Sequence, residues 1–129
     1  MAIADRHGLA VAGSVASASP HETKLVEDTI EQRFTPAKPP RMIGDWAYDS
    51  DWLDRKLWPE HGIRRMAPNR RNKTQDGRAL RRYCRRWKIE GLFAGLHHFR
   101  RLLTRWEYQQ PNFLGMLQLA CLLILARHL

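Results

Sequence analysis

The chain has 129 residues, 43% of them apolar, which is one domain's worth of sequence with enough apolar surface for a core; two domains and wholesale disorder are both excluded. Lys and Arg number 22 against 13 Asp and Glu, giving a net charge of +9 and a pI near 10.4. That balance points to a polyanionic partner, nucleic acid ahead of an anionic membrane surface.

Cys84 and Cys121 stand far apart with no CxxC, so neither a disulfide scaffold nor a zinc ribbon can be built, and a reducing, cytoplasmic compartment fits. Arg6 and His7 interrupt the start of the chain before any apolar stretch of export-signal length.

In chain order, Met1–Asp5 and Leu9–Ser17 flank an Arg6-His7-Gly8 turn and predict a β-hairpin over 1–17. Ser19-Pro20-His21-Glu22 reads as a helix start, with Ser19 as N-cap and Pro20 in the first position. Leu25, Val26 and Ile30 give that helix one apolar face, and it ends before Pro36. A connector with Pro36, Pro39 and Pro40 leads into a short strand over 41–45. Ser50 or Asp51 caps a second helix with Trp52, Leu53 and Leu57 on its apolar side, ending at Gly62. Ile63–Ala67 predicts a last strand and Asn69–Gly77 a polar, basic loop. A long helix is expected over 78–106, and a nearly all-apolar, hence buried, helix over 111–129. Its apolar run Phe113–Ala126 is too short for a membrane span, which needs roughly 20 residues. The whole is a mixed α/β pattern.

Charge is concentrated in one place. Between Arg64 and Arg105 stand 14 Lys/Arg and two acids, Asp76 and Glu90, so this segment carries +12 while the rest of the chain carries −3. A solvated face usually mixes both signs, which favours a phosphate-binding surface here.

Two acids invite a chemical reading. Asp45 ends a strand, where ligands bind in open α/β sheets; loop or capping roles compete, and Asp49 and Asp51 are assigned to those. On a helix advancing about 100° per residue, Tyr83, Arg86, Glu90, His97 and Arg101 share one stripe opposite Ile89, Leu92, Leu96, Phe99, Leu103 and Trp106. Geometry alone explains that stripe as a wet face with an Arg86–Glu90 pair at i, i+4. His97-His98 is a poor metal site, because adjacent helical side chains diverge and no third ligand is near in sequence.

Tyr83-x2-Arg86-x3-Glu90-x6-His97 resembles the tyrosine–arginine–glutamate–lysine signature of bacterial insertion-sequence DDE transposases. The run Arg81-Arg82-Tyr83-Cys84-Arg85-Arg86-Trp87-Lys88-Ile89-Glu90 is similar to the branch named after insertion sequence five. So are Gly44-Asp45-Trp46-Ala47-Tyr48-Asp49-Ser50, Ala18–Glu22 and Asn112–Ala120.

The resemblance implies an RNase H-like mixed sheet flanked by helices, whose three carboxylates hold two Mg²⁺ ions for phosphoryl transfer on DNA. It makes Asp45 the second carboxylate and metal ligand, and Glu90 the third. Tyr83 and Arg86 become contacts to DNA phosphate or orient Glu90, and Arg81, Arg82, Arg85 and Arg101 of the basic segment are expected to join the DNA contacts. His97 stands where many relatives have lysine.

The family's first Asp lies on a strand upstream of the hairpin. Asp5 matches the hairpin turn instead, so the expectation is a C-terminal fragment lacking that strand and inactive alone. Its expected partners are DNA at element ends and either the N-terminal part of the transposase or a full-length copy, with no membrane. A regulator that blocks full-length transposase and a small basic RNA-binding protein are the competing functions. The second would use exposed aromatics such as Trp87 and Phe93, with Phe99 and Trp106 assigned to the core.

Overall fold

The computed structural model describes residues 1–69 and 83–128, so the 78–82 part of the expected long helix and most of the 69–77 loop lie outside the described residues. The chain opens with the expected hairpin, β1 (Ala2–Ala4) antiparallel to β2 (Ala10–Gly13). Asp5 builds its turn, one carboxylate oxygen accepting from the backbone N–H of His7 at 2.7 Å and of Leu9 at 2.9 Å. Gly8 takes a left-handed conformation at φ +87°, which favours glycine.

Helix α1 (Glu22–Glu31) starts later than the sequence suggests. His21, not Ser19, is the N-cap, its Nδ1 accepting from Thr23 N at 3.3 Å, and Pro20 stays outside the helix. Thr29 on α1 closes a buried polar contact with Ser14 at the end of β2, 2.6 Å between hydroxyl oxygens.

Strand β3 (Arg41–Ile43) leads through a short 3-10 turn, Trp46–Tyr48, to α2 (Asp51–His61). As expected, Ser50 caps α2, accepting from Leu53 N, and Gly62 ends it in the left-handed region. β4 (Arg64–Met66) then returns parallel to β3.

The single mixed sheet expected from the resemblance is not what these strands form. They make two separate two-stranded sheets, β1–β2 and β3–β4. Both cover one core of Val26, Ile30, Leu53, Leu57 and Ile63, with Met1, Ile3 of β1 and Met42 of β3 packed on it. The alternate residues of β1, Ala2 and Ala4, face a second core of Ala10, Leu92, Leu96, Ala120 and Cys121. The hairpin is therefore the wall between two cores.

The expected long helix is broken. Tyr83–Arg86 is a 3-10 segment, α3 runs Trp87–His97, and α4 is only Arg100–Leu103. Phe99 sits between them in an extended conformation and packs on the second core, which takes Arg101 off the helix that carries Glu90. Leu103 and Trp106, assigned to the apolar face by their spacing, are 62% and 77% exposed.

The final helix α5 (Gln110–Ala126) corrects another expectation. It buries only Ala120 and Cys121, while Leu119, Leu122 and Leu123 are exposed. Both cysteines are free thiols, and burial pushes the Cys121 thiol up. No helix among the described residues is long and apolar enough to cross a membrane.

Candidate functional site

Asp45 follows β3 through Gly44. A Cβ on residue 44 would sit 3.0 Å from the Cβ and a ring carbon of Tyr48, so glycine there lets the tyrosine fold back over the strand end. Asp45 accepts from Ala47 N at 2.8 Å and so caps the 3-10 turn. The competing capping role for Asp45 is thus realised, though on a three-residue turn, which leaves no periodic signal in the sequence. One carboxylate oxygen is thereby used; the other has no protein partner among the described residues. Burial pushes the Tyr48 phenol upward, and the negative charges of Glu22 and Asp45 act in the same direction.

Asp49 serves structure, as expected. It is buried and lies 3.4 Å from Arg65, whose guanidinium also holds Asp54 at 2.6 Å. Burial works against the Arg65 charge, but hydrogen bonding and attraction to Asp54, followed by Asp49, leave its pKa raised. Sequence reading had no access to this triad, whose members lie 16 and 11 residues apart.

On the second core the arrangement is more open. Arg86 pairs with Glu90 at 3.1 Å and lies over the Tyr83 ring at 5.8 Å, so these three members of the expected stripe do meet. His97 ends α3, and Arg101 on α4 pairs with Glu107 at 2.9 Å. Arg85 is exposed; Arg81 and Arg82 lie outside the described residues. Asp45 adjoins the core under α1 and α2, whereas Glu90 belongs to the helix on the other core.

Oxygen donors suit a hard divalent ion. Among the described residues, however, the group of three potential metal donors within 4.8 Å of one another is Glu27, Glu60 and His61, and it includes neither Asp45 nor Glu90. That group already holds cations. Lys56 Nζ donates to Glu27 at 2.6 Å, and Lys38 Nζ lies 2.8 Å from His61 Nδ1. A lysine ammonium can only donate, so Nδ1 accepts and Nε2 carries the proton that faces Glu27 at 3.4 Å. Hydrogen bonds from Lys56 and then His61 hold the Glu27 carboxyl below its ordinary range. The cluster is an ionic clamp between α1 and α2. The described residues alone do not form a two-metal centre.

Comparison with known proteins places this geometry in context. Residues 1–125 match the family described as the transposase DDE domain. A putative transposase for insertion sequence element IS402 from Burkholderia cepacia is 38% identical over 93 residues, covering 71% of this chain and 42% of the relative. The chain thus corresponds to less than half the length of that relative. No solved structure matches. With the family match running through nearly every element described above, the chain belongs to the transposase DDE domain family.

Proposed function

We propose that this chain is the C-terminal part of an RNase H-like transposase catalytic domain, of the branch named after insertion sequence five. It binds the DNA of element ends and is inactive alone. In the completed domain Asp45 and Glu90 are the second and third carboxylates of a Mg²⁺-dependent phosphoryl-transfer site. Tyr83, Arg85, Arg86, His97 and Arg101, with Arg81 and Arg82, form its DNA contacts.

The observation that carries this reading is the divided sheet. Two-stranded sheets are marginal by themselves. Here β1 and β3 cover the same core, yet neither is bonded to the other. In β1 the residues that bond across to β2 alternate with Ala2 and Ala4, whose backbone groups point away from it. In β3 the bonds to β4 run from Pro40 and Gly44, leaving the backbone of Arg41 and Ile43 on the other edge. Two open edges over one core are what a sheet leaves when an interior strand is supplied from elsewhere. Asp5 sits in the hairpin turn, one carboxylate oxygen accepting from His7 N and Leu9 N, which supports reading it as a turn residue and not as that strand's carboxylate.

The test is strand cleavage on element-end DNA with Mg²⁺. The chain alone should be silent. Adding the upstream segment of a related transposase, as a fusion or a separate peptide, should produce nicking that disappears with Asp45→Ala or Glu90→Ala while DNA binding persists. Cleavage by the chain alone that is lost on Asp5→Ala would overturn the reading.

A further inference from the structure

A groove of about 330 Å³ opens on the second core, between the hairpin turn, the start of α3 and the end of α5. Neither Asp45 nor Glu90 lines it. Its ionisable lining residues are all basic types: His7, Lys88, His98, Arg127 and His128. Each comes from one of three elements distant in sequence, so the accumulation is a product of the fold.

The groove also has a flat wall. Trp87 is 60% exposed, with the flexible Lys88 ammonium over its ring at 4.5 Å from the centre, a cation that a base stacking on that face displaces toward its own phosphate. Helical spacing puts Gly91 and Gly95 on the same face of α3 as Trp87, one and two turns further on, where the missing side chains leave the floor low; a Cβ on Gly91 would meet nothing within 4 Å. The turn is held on α3, since a Cβ on Gly8 would lie 3.4 Å from the Lys88 carbonyl oxygen. Arg6 stands behind His7, its Nε donating to the imidazole Nε2 at 2.9 Å, and adds a further cation at that end.

A flat apolar face beside several cations, over a floor without side chains, matches the chemistry of a nucleotide: a ring to stack and phosphates to neutralise. The volume falls in the range of small-ligand sites. We propose that this groove binds a nucleotide of an unpaired nucleic-acid strand, its base stacked on Trp87 and its phosphates held by Lys88, Arg127 and the imidazoles. A base stacked inside a duplex cannot offer its face, so the groove selects unpaired over paired strands. The proposal is independent of the cleavage reading, because it uses neither carboxylate.

The experiment measures binding of the full chain to a labelled unpaired thymidine oligomer and to a duplex of equal length, by fluorescence anisotropy. Trp87→Ala should weaken the unpaired strand by about 5- to 100-fold, the range for loss of one base stack, and leave duplex binding within twofold. Trp87 is largely exposed, so the variant keeps its fold, which circular dichroism checks. Gly91→Leu, which fills the floor without removing charge, should give the same selective loss. Arg127→Gln should lower the salt dependence of unpaired-strand binding by about one phosphate contact.

Unchanged unpaired-strand binding in both Trp87→Ala and Gly91→Leu overturns the proposal. Equal losses on both nucleic acids overturn its stacking component. Unpaired-strand binding is read without Mg²⁺ and without the upstream segment, which separates failure here from failure of the cleavage reading.

Discussion

The two cores on either side of the hairpin are finished to different degrees. Around Val26, Ile30, Leu53, Leu57 and Ile63, helices α1 and α2 close over both small sheets, and two ionic groups tie the edges together. Around Leu92, Leu96, Ala120 and Cys121, α3 and α5 are packed on one side only, and α5 turns Leu119, Leu122 and Leu123 outward. Acidic and basic residues are interleaved in the first region; the second carries most of the excess positive charge. The first is built as scaffold. The second keeps apolar and cationic surface available, as a binding region must.

Substitutions can break or sharpen that contrast. Leu57→Ala, at 1% exposure inside the closed core, should cost about 2–5 kcal/mol in denaturant unfolding. A cost near zero would mean that this core is no better packed than its neighbour. Arg65→Ala strips the buried Asp49 of a cation and should cost about 3 kcal/mol, with Arg65→Met no substitute for the charge.

Gly44→Ala forces a methyl group against the Tyr48 ring, and a loss of about 1–3 kcal/mol is expected from thermal melts. Its size tells how rigidly the Asp45 turn is held. The Glu27 clamp should appear in acid. Its carboxyl lies below the ordinary 4.5 in the folded chain, so its contribution is complete above that pH and fades as pH falls through the folded value. Parent and Glu27→Gln stabilities should therefore converge on acidification; parallel curves would remove the clamp from the account. Smallest of all, Leu122→Gln on the open face of α5 should shift stability by no more than about 0.5 kcal/mol.

How far the sequence discloses this molecule depends on the range of the determining interaction. Ser50 and Gly62 bracket α2 because cap and stop act within a few residues, and the hairpin is legible for the same reason. His21 as N-cap was hidden, since imidazole is not among the preferred capping side chains. Leu103 and Trp106 keep the helical phase of α3, so periodicity alone could not reveal that Phe99 leaves the helix to reach the core. In α5 a nearly all-apolar sequence carries little phase, and burial inferred from composition failed. At the candidate site, the Arg86–Glu90 pair was readable from its spacing. The basic groove was not, because His7, Lys88 and Arg127 meet only through tertiary packing.

All five tryptophans, Trp46, Trp52, Trp58, Trp87 and Trp106, are exposed to solvent, from 45% to 77%. That has a spectroscopic consequence. Indoles already in contact with water emit much as they do in an unfolded chain, so intrinsic fluorescence should change little when this protein melts. The same emission should respond readily to anything that settles on the surface. For this chain the native optical signal is a reporter of contact, and loss of structure is better followed by the amide bands.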